Sequence, residues 1–482
     1  MSKKATIILR CDANAEIGYG HLSRSIALYE LLCVNFNCFI VTGNNNINHI
    51  VPTHIQVALI PINLTPTQEG NWLLEKFSKN CILITDGYQY NEFYQQAIKQ
   101  LLIPLVAVDD LAVHHQYADV VLNHAPKIAA KNYSKESYTH LSLGCRFAML
   151  RSVFYDNFLE EIPKNKFKNI FISFGGSDQT KICVNAIKGL ANYSKNITLN
   201  ILVGNELISN NIAKDCVDTI KPKFHYGLTS NEVFDLIRQA DLCIVSASTI
   251  MLEVASIGKP LIIGYFVKNQ AFMYTGGIES GLAHGIGNLK DFDFNTIRNK
   301  IAEFESKNLL GAMMERQRKH FQSPIRNNIT TLIQSLIDRL NFVPATASDG
   351  ALLLHWRNDP TTIENSIVTQ AVNPEDHHNW LSKILNDASV QLFIVHADKE
   401  TIGTVRINST LRDKEISWTI APNHRGKGYG KTIVNKLVNS LEGTVIAQIK
   451  NSNIASKKIA EYAGLKMVSE TNDLIKYQLK IS

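Results

Sequence analysis

The sequence predicts an α/β protein: two doubly wound lobes in tandem, followed by a third α/β domain of different texture. Three observations carry that reading. The chain has 482 residues, about three times a typical domain. Up to about residue 265 it alternates short apolar runs with helical stretches, as parallel strands buried on both faces do. The composition then changes: all eight cysteines stand at or before Cys243, whereas Trp356, Trp380 and Trp418, three of the four tryptophans, stand near the end. The expected boundaries are 1–158 and 165–335 for the lobes and 341–482 for the last domain.

In the first lobe the runs are 6–9, 38–41, 57–60, 81–84, 105–108 and 119–122. Polar residues close several of them: Arg10-Cys11-Asp12, Thr85-Asp86-Gly87, Asp109-Asp110 and Asn123-His124. Ligands gather at the carboxyl ends of such strands. A Pro- and Lys-containing stretch, 160–168, resets the pattern. The second lobe follows with runs 169–174, 198–203, 242–245 and 260–264.

Composition excludes several classes. Apolar residues make up 45% and charged residues 19%, the balance of a globular protein rather than a disordered one. A net charge of +6 over this length is no case for a nucleic-acid partner. No run approaches the ~20 apolar residues of a membrane span, and the apolar stretch after Lys4 is too short for a signal peptide. No membrane partner and a cytoplasmic location are therefore expected. With no Cys-x-x-Cys pair, the cysteines read as buried apolar residues in a reducing compartment. No metal is expected: there is no His-x-x-x-His, Asp109-Asp110 alone is thin, and His114-His115 reads as part of a solvated helix.

Gly18 and Gly20 permit a tight turn before the helical stretch 25–32, and they put His21 at the helix N-terminus. Two readings stand. His21 caps its own helix, or it is a general base whose neutral form the positive helix end favours. In the second lobe, Ser246, Ser248 and Thr249 end a strand and open a helix. That suits either an ordinary N-cap or a diphosphate held by amides and hydroxyls. Glu253 follows one turn later, where a carboxylate can accept both hydroxyls of a ribose. Gly175 and Gly176 form a plain turn or a second phosphate contact.

The run Arg10-Cys11-Asp12…Ile17-Gly18-Tyr19-Gly20-His21-Leu22-Ser23-Arg24 resembles the signature of the UDP-2,4-diacetamido-2,4,6-trideoxy-β-L-altropyranose hydrolases of pseudaminic acid biosynthesis. Asp86-Gly87-Tyr88, Asp109-Asp110, Leu122-Asn123, the run 173–178, Ser246 to Glu253 and the run 265–270 extend the match to about residues 5–280. That family is similar to GT-B glycosyltransferases, with Rossmann-like lobes. The resemblance implies metal-independent hydrolysis with inversion. His21 would activate water, Glu253 hold the ribose, and Asn269 and Gln270 hold the sugar. Asp12, Tyr88 and Asp109 would face the same cleft.

Further on, a strand from Glu415 runs into Arg425-Gly426-Lys427-Gly428-Tyr429-Gly430-Lys431 and a helix. Successive backbone N–H groups and the helix dipole there suit a pyrophosphate. The string resembles the acetyl-CoA motif of GNAT N-acetyltransferases, and Asn453 matches their next strand–helix unit. The segments around Arg357 and Trp380 resemble the sugar-nucleotide branch, which implies Arg357 in substrate binding. Where many of these enzymes carry a tyrosine seven residues after the asparagine, this chain has Ala460, with Tyr462 nearest. Glu415 is either the base, acting through water, or an exposed strand carboxylate. The combined expectation is a bifunctional enzyme acting on a UDP-amino-sugar with acetyl-CoA. The alternatives are a GT-B glycosyltransferase whose GNAT domain senses acetyl-CoA or acetylates another amino-sugar.

Overall fold

Central strands of a parallel sheet are apolar on both sides because helices cover both faces. β1 (Thr6–Cys11) shows it: every residue after Thr6 is buried. It joins β2 (Asn37–Thr42), β3 (Val57–Leu59), β4 (Cys81–Asp86), β5 (Leu105–Val108), β6 (Val120–Asn123) and β7 (His140–Leu143) in an all-parallel sheet of order β3-β2-β1-β4-β5-β6-β7. A second parallel sheet contains β8 (Asn169–Ser173), β9 (Thr198–Leu202), β10 (Lys223–His225), β11 (Leu242–Ser246), β12 (Leu261–Tyr265) and β13 (His284–Asn288). Its order is β10-β9-β8-β11-β12-β13. The computed structural model describes residues 4–13, 19–44, 51–77, 81–159, 167–175, 179–191, 193, 196–216, 220–306, 309–321, 325–338, 340–397, 400–410 and 413–481.

Every strand expected in the two lobes forms, with bounds within two residues of those read from sequence. β7, β10 and β13 were not expected. They run along or near sheet edges, where one face meets solvent, so their sequences HLSL, KFH and HGIGN hold no apolar run. The first helix begins at Gly20 rather than 25, which places His21 in its first turn. His114 and His115 lie in a loop, not a helix, and His115 bonds Ser134 and Glu136.

The chain divides into two compact units, 4–332 and 333–482. The second is built on β14 (Leu340–Pro344), β15 (Val390–Ala397), β16 (Glu400–Ser409), β17 (Asp413–Ile420), β18 (Gly443–Lys450), β19 (Lys466–Glu470) and β20 (Leu474–Ile481), in the order β14-β15-β16-β17-β18-β20-β19. Only β17 and β18 run parallel, and they pair only over 413–415 and 444–446 before diverging. One apolar cluster joins the sheet to Ile433, Val434 and Leu437 of the helix Tyr429–Asn439. Another joins Leu392 and Ile394 to Leu353, Trp356 and Leu381 of the helices Gly350–Arg357 and Pro374–Leu385. No helix among the described residues is long and apolar enough to cross a membrane. The eight cysteines form no disulfide, and all but Cys33 are buried.

Candidate functional site

In the first sheet the strand order reverses between β1 and β4, and a crevice opens at their carboxyl ends. The helix Gly20–Leu32 starts there. It turns His21 and Arg24, three residues apart and so on one face, toward Asp86 at the end of β4. His21 Nδ1 lies 2.7 Å from Asp86 Oδ1. Arg24 donates to both oxygens of the same carboxylate at 2.6 and 2.5 Å, and to both oxygens of Asp110 at 2.8 and 3.1 Å. Burial opposes the charge on Asp86, but Arg24 and His21 outweigh it and draw its pKa down to about 2. An ionised carboxylate only accepts, so Nδ1 is the donor in this pair, and in the neutral ring Nε2 then keeps its lone pair; Arg24 Nη2 also lies 3.2 Å from Nδ1. His21 therefore does not cap its helix; the cap position is Tyr19, with no side-chain bond.

Tyr88 sets its ring edge-on to His21 at 4.9 Å. Its hydroxyl accepts from Asn269 Nδ2 of the second lobe, and Asn269 Oδ1 is buried without a hydrogen-bond partner. His124 is also buried and accepts the Met149 N–H at Nδ1. Burial pushes its pKa down to about 4, so it is neutral.

Asp109 lines the same crevice as His21, Arg24 and Tyr88, and the other expected residues stand elsewhere. Asp12 takes Arg10, Thr42 and Gly43 on one oxygen and Gln89 and Tyr90 on the other, a bond set that ties loops together. Asp109 accepts the N–H groups of Leu111 and Ala112, and burial raises its pKa. Glu253 was expected to hold a ribose; instead both its oxygens are held by Arg151 at 2.7 and 2.6 Å, in a buried pair. Gln270 turns inward and accepts the Phe266 N–H. Ser246 and Ser248 bond each other at 3.1 Å, just before Thr249 opens its helix. Gly175 has φ +105°, with open space around it, and Gly20 is likewise uncrowded. Gly18 and Gly176 lie outside the described residues. No group of three His, Cys, Asp or Glu side chains among the described residues is placed to hold a metal ion.

In the second unit the turn after β17 holds Gly426 and Gly428 at φ +74° and +85°. Among the described residues the N–H groups from Gly426 to Gly430 make no backbone hydrogen bond. Successive free amides ahead of the helix Tyr429–Asn439 fit the pyrophosphate of a CoA thioester. Beyond the point where β17 and β18 part lies a cavity of about 620 Å³, lined by Arg357, His377, Trp380, Arg406, Trp418 and Lys450 among others. Arg357 Nη1, Arg406 Nε and Trp418 Nε1 are buried there with no hydrogen-bond partner.

Residues 339–466 match the profile of the acetyltransferase (GNAT) domain. The C-terminal unit is a GNAT acetyltransferase domain. Acetyltransferase PseH of Campylobacter jejuni is 26% identical to it over 153 residues, which is 30% of this chain and 96% of that protein. An uncharacterized protein of Methanocaldococcus jannaschii, MJ1062, is 23% identical over 491 aligned positions, covering 95% of this chain and 96% of that one. Among solved structures, C. jejuni N-acetyltransferase PseH in complex with acetyl coenzyme A is 22% identical. It covers 30% of this chain and 99% of its own, with a TM-score of 0.25. Acetyl-CoA is the GNAT domain's co-substrate.

The residues expected to bind acetyl-CoA also make contacts within the GNAT domain. Arg425 spends its side chain on Asp359, Thr362 and the Ile420 carbonyl. Gly430 lets two helices approach, since a Cβ there would come within 2.6 Å of Ile459 Cδ1. Lys431 lies over the Tyr462 ring at 5.2 Å, and Lys427 is exposed. Asn453 caps its helix through the Ser456 N–H while lining the cavity. Ala460 is fully buried in the core. Glu415 is the last β17 residue paired with β18, and the cavity lining begins one residue later, at Ile416. Asp86 and Arg24 are partners of His21 that only the fold reveals in full, although the three-residue spacing of His21 and Arg24 signals a shared face. Nothing in the sequence marks Arg151 or Arg406.

Proposed function

We propose that the chain is a bifunctional enzyme of UDP-sugar metabolism. Its GNAT domain (341–482) acetylates the 4-amino group of UDP-4-amino-4,6-dideoxy-N-acetyl-β-L-altrosamine. Its lobes (1–158 and 165–335) then hydrolyse the product, UDP-2,4-diacetamido-2,4,6-trideoxy-β-L-altropyranose, to free sugar and UDP. The acetyl step stands on the GNAT domain; the hydrolytic step is carried by one observation, the His21–Asp86 pair at the crevice. Supporting it are the Tyr88–Asn269 contact across the lobes and the unpartnered Asn269 oxygen, a ready acceptor for a sugar hydroxyl or amide. The reading places the enzyme in the cytoplasm and needs no metal.

In acetyl transfer the sugar amine attacks the thioester carbonyl, the amine proton passes to the protein, and the C–S bond breaks to release CoA as a thiolate that takes up that proton. His377 is the group we place there. It is buried in the cavity wall, and burial together with His378 lowers its pKa, which keeps it neutral and able to accept. The unpaired N–H groups of Arg357 and Arg406 suit the substrate diphosphate. In hydrolysis a water oxygen bonds to C1 as its proton goes to His21 Nε2. The C1–O bond to UDP breaks on the opposite face, inverting the anomeric carbon. Asp86 fixes the imidazole in the tautomer that exposes Nε2 and stabilises the imidazolium formed.

The purified chain, given acetyl-CoA and the UDP-4-amino-sugar, is expected to release both CoA and UDP, followed by chromatography. CoA release without UDP from the acetylated product would remove the hydrolytic half. UDP release that required a sugar or peptide acceptor would replace hydrolysis by glycosyl transfer.

A further inference from the structure

The turn that receives acetyl-CoA needs an external hold. Two of its residues sit at positive φ, and its amides are unbonded, so on its own it offers many conformations and would lose entropy on ordering around a ligand. The hold comes from a segment about 65 residues earlier in the chain. Arg425, the residue before Gly426, donates from Nη1 to Asp359 Oδ2 at 2.6 Å, from Nη2 to Thr362 Oγ1 at 2.7 Å and from Nε to the Ile420 carbonyl at 3.2 Å. Each guanidinium nitrogen is thus engaged inside the protein. The same Asp359 oxygen accepts the Thr362 N–H and caps the short helix Pro360–Asn365.

That segment is pinned on its far side as well. Lys450, at the end of β18, donates to the Glu364 carbonyl at 2.8 Å. Beyond it, Arg357 donates to the Val368 carbonyl, and Asn358 exchanges two hydrogen bonds with Val372. Asn365, Ser366, Ile367 and Val368 then form part of the cavity wall. One contact, Arg425 with Asp359, therefore joins the acetyl-CoA turn to a wall of the neighbouring cavity.

We propose that Asp359 is a positioning residue for acetyl-CoA: through Arg425 it holds the 426–430 turn in its binding shape and links occupancy of that turn to the order of the cavity wall at 365–368. Arg425 contributes through this clasp and not by its own contact with phosphate. The proposal needs only acetyl-CoA binding and is independent of which amine is acetylated.

The test is calorimetric titration of the full chain with acetyl-CoA. Asn caps a helix as well as Asp does, so Asp359→Asn keeps the cap and removes the charged partner. Asp359→Asn and Arg425→Gln are each expected to weaken acetyl-CoA binding about tenfold, and the double variant to be no weaker than the worse single, as for two members of one contact. Arg425→Lys, which keeps a charge for Asp359, should stay within about threefold of the native chain. In hydrogen exchange, acetyl-CoA should slow the amides of 365–368 in the native chain and not in Asp359→Asn. Unchanged affinity in Asp359→Asn, losses that add in the double variant, Arg425→Lys as weak as Arg425→Gln, or persistent protection at 365–368 would each overturn the proposal.

Discussion

The crevice of the first lobe and the cavity of the GNAT domain solve opposite problems. In the crevice His21, Asp86, Arg24 and Asp110 bond one another, so the charges are satisfied with no ligand present. In the cavity Arg357, Arg406 and Trp418 each keep a buried N–H with no partner. An unmet buried donor costs about 1–3 kcal/mol, which a ligand that accepts from it restores. A closed circuit fixes the orientation of a reacting group and adds little affinity. An open set of donors does the reverse. Substitutions in the crevice should thus act on kcat, and those of the unpartnered cavity donors Arg357, Arg406 and Trp418 on KM.

The largest expected effect tests the closed circuit. His21→Asn should lower hydrolysis of the diacetamido UDP-sugar roughly 10³-fold or more while CoA release from the acetyl step is unchanged. Asp86→Asn leaves the imidazole in place but offers it a donor as well as an acceptor, which disturbs the tautomer. It should cost roughly 10² in kcat with KM nearly constant, by steady-state assay of UDP. If Asp86→Asn moved KM instead, the circuit would be a binding device like the cavity.

The same closure predicts how the first unit responds to acid. His124 stays neutral in the fold down to about pH 4, whereas in the unfolded chain it takes up a proton near 6.5. Stability should therefore fall as pH drops from about 6.5 to 4, by about 3 kcal/mol in total. Asp86 acts in a lower window. Its contribution is complete above the ordinary carboxylate value of 3.8 and is lost only as pH falls toward about 2. Scanning calorimetry from pH 7 to 4 should show the first unit's transition moving down, and His124→Gln should flatten that dependence.

The open set predicts a trade. Arg406→Met removes a buried donor without a partner, so the GNAT domain should melt higher, by about 1 kcal/mol of added stability. The same change should raise the KM for the amino-sugar about tenfold, with acetyl-CoA affinity held within twofold. A lower melting temperature would mean that Arg406 is satisfied in the free protein and that the contrast between the two sites is false.

How much of this was legible in the sequence differs by site in the same way. Continuous apolar runs ending in polar residues marked the strands and the crevice, because a parallel sheet buries whole strands and puts ligands at their ends. His21 stood out because glycines surround it. Its partners were harder: Asp86 lies 65 residues away and meets His21 only because β1 and β4 are neighbours in the sheet. Glu253 is ambiguous in sequence because its place, one turn into a helix after a serine run, is shared by ribose ligands and by structural carboxylates. Its partner in the fold, Arg151, comes from the segment 102 residues earlier. The cavity was least legible. Its donors lie on β16, on β17 and at the end of the helix Gly350–Arg357, and no local pattern records that these face one space.

The smallest expected effect concerns Glu415. Strand neighbours β17 and β18 stay paired as far as this residue and then part, so the cavity begins beyond it, from Ile416 onward. The Glu415 carboxylate lies outside the cavity lining, whereas His377 stands in the wall itself. Glu415→Gln should therefore keep acetyl transfer within about threefold, and His377→Gln should lower kcat roughly 10²-fold, the scale of a lost general base. The pH profile separates the two further. With His377 as the base, the acidic limb of kcat should lie below the ordinary histidine value and vanish in His377→Gln. A tenfold or greater loss in Glu415→Gln, with the acidic limb gone, would return the base to the strand and make the cavity wall a purely binding surface.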